Sequence, residues 1–279
     1  MDCALPHVIS VAPNLKTSVS VAALVLSSVV VLSAAGPDAE TLAGWTRYVA
    51  AVEGRLAHEI QSGPFLMIDA PQHADERRHL ASGALITAAV KTTGADGAAI
   101  DLAKGLVHDW RGDVMIPGAT VEGILARLER QTPPAPANEV LSARIVDAGP
   151  GWNRLTMTLR RQKVISVFYA TEHMVTFQRL QPGRATSRSV ATSITELADY
   201  GTPAQKAVRP GEDHGFLWRW NAYWRFEDTP AGVIAECESI SLSRDVPGVV
   251  RFIAGPIIRD TARESMTGAL EAMRAAFRH

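Results

Sequence analysis

Two cysteines, Cys3 and Cys237, stand in 279 residues. A pair so far apart cannot build a disulfide scaffold. Cys237 lies between Glu236 and Glu238, where a thiol has neither the helix N-terminus nor the basic neighbour that reactivity requires, and it reads as a small buried strand residue. Charge of one sign is missing as well. With 28 Lys and Arg against 29 Asp and Glu, the net charge is −1. No basic field therefore advertises nucleic acid or an anionic membrane surface, and no nucleic-acid partner is expected. The chain has no HExxH, no CxxC and no close histidine cluster, and no metal is expected. It has no GxSxG elbow, Walker A motif or GxGxxG, and no cofactor is expected. Low-complexity tracts and fixed-period repeats are absent too, which excludes solenoids and propellers.

What remains is ordinary globular composition, 47% hydrophobic and 20% charged. The length suits one large domain, or one domain with an appended segment. Oligomeric state is not legible.

Residues 1–35 read as an export signal. Lys16 precedes an apolar run over 19–32, and Ser33-Ala34-Ala35 offers a small-x-small cleavage site before Gly36. The alternative is an uncleaved anchor, although the run is short for a span and carries Ser27 and Ser28. Membrane contact is expected only through this leader. The mature chain is expected to be periplasmic or secreted.

Asp38 and Thr41 can cap a helix whose apolar residues Leu42, Trp45, Val49, Val52, Leu56 and Ile60 form one stripe. Arg47, Glu53, Arg55, His58 and Glu59 fall on its other side, and Ser62-Gly63-Pro64 stops it. Short strands are expected over 63–68, 82–93 and 100–107, with 69–80 polar and ambiguous. Thr120 is an N-cap for a helix with stripe Val121, Ile124, Leu125 and Leu128, followed by a stiff Pro-rich linker over 132–136. Strands then follow over 140–146, 153–162, 164–177 and 185–197. The loop over 199–214 is long enough to cover a pocket mouth. Thr261 and Glu264 form a capping box for a closing helix with stripe Ala262, Met266, Ala269, Leu270, Met273 and Phe277.

The richest stretch, 215–244, reads as a β-hairpin. Phe216, Trp218, Trp220, Ala222, Trp224 and Phe226 alternate with Arg219, Asn221, Tyr223, Arg225 and Glu227; Leu217 breaks the pattern. The return strand alternates Ala235, Cys237, Ser239 and Ser241 with Ile234, Glu236, Glu238, Ile240 and Leu242. Small residues opposite the indoles leave them room, and this register puts Arg219 and Arg225 on the face of Glu236 and Glu238. A one-residue slip would bury two carboxylates among tryptophans.

The order strand, helix, six antiparallel strands, long helix resembles the START-like helix-grip fold of the SRPBCC superfamily. VMIPGATVEGILARL is similar to that family's first strand edge and small helix, and VPGVVRFIAGPIIRDTARESMTGALEAMRAAF to its terminal helix with its lead-in. The resemblance covers 98–277 and leaves 36–97 as an extra N-terminal helix with added strands. The stretches GFLWRWNAYWRFED and ECESISLSRDVP also look like a family of exported bacterial proteins with no assigned reaction. The resemblance implies an α+β fold, a curved antiparallel sheet wrapped around a long C-terminal helix, with a cavity between them. Chemistry has to be read from the pocket lining.

Three readings follow. The first is an exported binding protein for an apolar or amphipathic, lipid-like small molecule, with Trp110, Trp218, Trp220, Trp224 and Phe226 facing Met266, Leu270 and Met273. The second is a cyclase- or hydrolase-type enzyme using Glu236, Glu238 and Arg219 in the same cavity. The third is a structural envelope protein with a filled core. The first is favoured over catalysis. His108 and Asp109, adjacent in a strand, point to opposite faces; one of them would stand at the cavity mouth. Glu172 and His173 have the same geometry. Which face of the hairpin lines the cavity is left open: the Trp row could face outward if the N-terminal helix packed on it.

Overall fold

A computed structural model describes residues 36–130, 139–162, 165–245 and 248–277. The leader over 1–35 and the linker over 132–136 lie outside the described residues. Helix α1, Ala39–Ser62, begins where the Asp38 side chain accepts from Thr41 N at 2.8 Å. That bond, with Lys104 nearby, holds the Asp38 carboxyl down at about 2. The strand expected over 63–68 does not form. Phe65, Leu66 and Ile68 instead turn into an apolar cluster with Leu80 and Ile234, because Pro64 and Pro71 interrupt the pattern and no strand lies alongside. One-turn helices at Met67–Asp69 and Pro71–His73 lead into α2, Ala74–Ala81.

Among the described residues the strands form one antiparallel sheet. They are β1 Ile86–Ala89, β2 Gly105–Pro117, β3 Val140–Gly149, β4 Trp152–Gln162, β5 Ser166–Gln181, β6 Arg184–Ala198, β7 Lys206–Ala207, β8 Arg219–Thr229 and β9 Gly232–Arg244. Their order is β1-β2-β9-β8-β6-β5-β4-β3, with β7 on β6. Helix α3, Val121–Arg130, follows β2; Thr120 Oγ1 caps it by accepting from Gly123 N at 3.1 Å. Helix α4 runs Gly248–Ala276. It starts well before the Thr261/Glu264 box, since Thr and Glu are tolerated inside a helix and the apolar stretch ahead of them continues it. A curved antiparallel sheet gripping its C-terminal helix, with an added N-terminal helix, is the α+β helix-grip fold.

The sheet separates two unlike layers. On the inner face α4 lies against β2 at Gly112, where an added Cβ would come within 2.7 Å of Met266 Cγ and 2.8 Å of Leu270 Cδ1. Gly112→Val therefore forces helix and strand apart. The expected loss is about 1–3 kcal/mol, read as a lower urea midpoint at unchanged slope. On the outer face Trp45, Tyr48, Val52 and Leu56 of α1 pack on Trp218, Tyr223, Ile240 and Leu242.

The hairpin takes the expected register. Trp220 pairs with Ser241, Ala222 with Ser239, Trp224 with Cys237 and Phe226 with Ala235; Arg225 faces Glu236. The start of the aromatic row is different. Phe216 is exposed and stacks on His214, and Trp218 belongs to the outer cluster under α1, while Leu217 packs inward with Leu159 and Tyr169. Regular pairing begins only at Arg219, so the period-2 alternation does not extend back through 216–218. Among the described residues no helix is long and apolar enough to cross a membrane.

Candidate functional site

Between the inner face and α4 lies a cavity of about 120 Å³. Its walls are Trp110 from β2, Trp220 and Trp224 from β8, and Met266 and Ala269 from α4; its floor is Ala222, Cys237, Ser239 and Ser241. The pleat explains the assignment. Even positions of β8 and odd positions of β9 share one face, and their pairing sets each indole opposite a small residue. The Trp220 indole donates to Ser239 Oγ at 2.9 Å and meets His173 edge-on at 5.0 Å between ring centroids. Trp224 stacks nearly flat on Phe226 at 5.9 Å. Phe226 and Leu270 are fully buried in the adjoining core, and Met273 packs against that core, so these three support the wall from behind.

Polar groups in the cavity are few. His108 lines it, with Nε2 3.0 Å from Ser243 Oγ. Burial, and secondarily the Arg161 charge, push its pKa down to about 4, so the imidazole is neutral. Asp109, next in sequence, points to the other face and accepts from Tyr48 Oη and Thr92 Oγ1, each at 2.8 Å. Arg161 is the one cation in the lining. It donates to Glu139 at 2.8 Å and to Ser265 of α4, tying β4 to the helix. His173 sits behind Trp220, its ring nitrogens 3.1 Å from Thr171 Oγ1 and 3.3 Å from Ser189 Oγ, and burial lowers its pKa to about 4. Its neighbour Glu172 points outward, 3.9 Å from Arg154. The Cys237 thiol is pushed well up, first by burial and then by Glu238 and Glu236, and stays protonated. Arg161 and the inward orientation of His173 carried no signal in the sequence; a strand-end Arg and an isolated His have no motif around them.

Glu236 and Glu238 are not in this cavity. They lie across the sheet, 1% and 2% exposed, beneath α1. Glu236 pairs with Arg225 and accepts from Ile68 N at 3.2 Å; Glu238 pairs with Arg55, and Arg225 also reaches Glu59. Arg219 takes no part, its Nη1 donating to the Trp218 carbonyl at 2.8 Å. Arg55 and Glu59 therefore belong to the buried side of α1. The outer sheet face is charged as well as apolar, and the flank of the helix answers it with opposite charges.

Three carboxyls of this layer titrate high. Burial and then Asp109 raise Glu238 to about 7 from 4.5; burial raises Asp109; burial and then Glu236 raise Asp113 well above the usual range. A carboxyl with a raised folded pKa binds its proton in the native state first, so its stabilisation is lost as pH rises from the unfolded toward the folded value. The two histidines act oppositely, adding stability as pH rises from about 4 to 6.5. Above that window only the carboxyls act. Thermal unfolding is expected to show stability falling from about pH 6.5 to pH 8, by on the order of 1 kcal/mol per pH unit at the steepest. Glu238→Gln, which mimics the protonated acid, makes that fall shallower.

No protein-family model matches this chain, and no curated protein does. Solved structures with a similar outline include a STAR-related lipid transfer protein fragment from Xanthomonas axonopodis, 18% identical, covering 69% of this chain and 99% of that one at a TM-score of 0.42. The lipid transfer and protein localization domain of human StarD13 is 9% identical, covering 76% and 99% at 0.39. The Zhui aromatase/cyclase from Streptomyces sp. R1128 is 14% identical, covering 61% and 92% at 0.31.

Proposed function

We propose that this chain is an exported binding protein for an apolar or amphipathic small molecule held between the inner sheet face and α4. The observation that carries the reading is the lining: three indoles and a methionine over a floor of small residues, with one charged side chain. Apolar cavities of about 150 Å³ take up benzene, so about 120 Å³ holds a group no larger than one ring, such as a short chain. A larger ligand requires α4 to move off Gly112. Arg161, at the edge of an otherwise uncharged lining, suits an amphipathic ligand whose acceptor end stays near it. Export rests on the leader-like pattern over 1–35.

The test is native mass spectrometry of the protein purified from its own host, followed by organic extraction. Delipidated protein is then titrated with an apolar dye such as Nile red. A co-purifying apolar molecule, or saturable dye binding, supports the reading. A clean apo mass together with no dye binding overturns it.

A further inference from the structure

On the outer side of the sheet a second cleft, of about 240 Å³, opens between α1, the 67–73 turns and the strand edge at β1. Four basic side chains reach it: Arg55, His73, Lys91 and Arg111. The rest of the lining is apolar: Met67, Ala88, Ala89 and Val90. No carboxylate is in its lining among the described residues, but Glu76 behind it pairs with both His73 and Arg111, and Arg55 is paired with Glu59 and Glu238, which leaves Lys91 as the cation without an acid.

Arg111 is the unusual member. Its side chain is 1% exposed, yet it borders the cleft. Its Nη2 donates to Glu76, and its Nε lies 3.0 Å from Asp113 Oδ2 without the alignment of a hydrogen bond. Among the described residues nothing accepts from its Nη1. A buried guanidinium with donors to spare is costly unless something else accepts from it. Burial and then Glu236 push the carboxyl of Asp113 well above the usual range, so Glu76 is the stronger counter-charge to Arg111. Lys91, on the rim just beyond β1, has no carboxylate within ion-pair distance among the described residues. Arg55 keeps one nitrogen, Nε, buried and without a partner.

We propose that this cleft is a second binding site, which takes a short-chain organic carboxylate: the carboxylate between Arg111 and Lys91, the alkyl chain along Met67, Ala88 and Val90. With Nη2 spent on Glu76, Arg111 offers Nη1 to one carboxylate oxygen and the Lys91 ammonium faces the other, and the apolar wall accounts for a tail in place of a bare inorganic anion. The site lies across the sheet from the inner cavity and does not depend on what that cavity holds.

The experiment is calorimetric titration of the full chain with hexanoate, hexanol and inorganic phosphate. Hexanoate is expected to bind at least about tenfold more tightly than either control. Lys91→Glu, at an exposed position, and Ala88→Phe, which plugs the cleft from the face that Ala88 shares with Arg111, each weaken hexanoate binding by at least about tenfold. Saturating Nile red leaves hexanoate binding unchanged. Hexanoate binding no better than hexanol, or matched by phosphate, overturns the proposal. So does full affinity in both variants, or displacement of hexanoate by the dye.

Discussion

Ala222→Phe is expected to abolish binding of apolar ligands while the protein stays folded. Ala222 lies on the cavity floor, between Trp220 and Trp224 on the same face of β8. A phenyl ring there enters a space of about 120 Å³ that no other side chain occupies. Overpacking a filled core costs about 1–3 kcal/mol, but a ring entering a void recovers part of that through the contacts it makes. Affinity for Nile red, or for the molecule extracted from the native protein, is expected to fall by about 100-fold or more, because ligand and ring compete for one volume. The urea midpoint should change little. Ala269→Leu, narrowing the same space from α4, is expected to give a smaller loss in the same direction. Unchanged affinity in both variants would place the ligand elsewhere and remove the inner cavity from the functional reading.

The largest stability effect is expected at Arg225. Its side chain is 4% exposed and pairs with Glu236, itself 1% exposed, and with Glu59 of α1. Arg225→Met keeps most of the volume but leaves Glu236 without its cation and Glu59 with Arg55 alone. Breaking a buried pair from one side costs about 3–5 kcal/mol, since the remaining charge must be desolvated alone or protonated. That is a large share of a typical domain's 5–15 kcal/mol, roughly. Adding Glu236→Leu to Arg225→Met removes the stranded acid, and the double variant is expected to regain at least half of the loss. Hydrogen exchange should show the damage concentrated in α1, because Glu59 is the helix's link to Arg225. If Arg225→Met unfolds at the wild-type midpoint, the ion layer does not hold α1 on the sheet.

Much of the fold was legible because it is written in local periodicities. Alternation along 219–242 requires a strand pair with unlike faces. The match of Trp220, Trp224 and Phe226 to the small Ser241, Cys237 and Ala235 then selects the register, since a one-residue slip buries Glu236 and Glu238 among indoles. The α1 stripe and Thr120 were equally readable, because an apolar face and a cap are each defined within one or two turns. Trp218 departs from the alternation because regular pairing begins only at Arg219. The 63–68 stretch carries no decisive signal, because a few apolar residues suit a strand or a core-facing turn equally well.

The site was legible only in part. Trp220 and Trp224 follow from the hairpin, and Met266 from the α4 stripe. Glu236 and Glu238 share a face, as their spacing requires, but nothing local says which layer lies over that face. The sequence by itself determined the strand alternation, the hairpin register, the helix stripes and the absence of any local metal or nucleophile motif. These depend on residues close together in the chain or paired across one turn. Only the tertiary structure decided that α4 covers the Trp row and α1 the charged row, that Arg55 replaces Arg219 beside Glu238, and that Arg161 enters the cavity. Those contacts join segments far apart in the chain. They are chosen by the burial of whole faces and by pairing of the charges left behind, which no short stretch of sequence encodes alone.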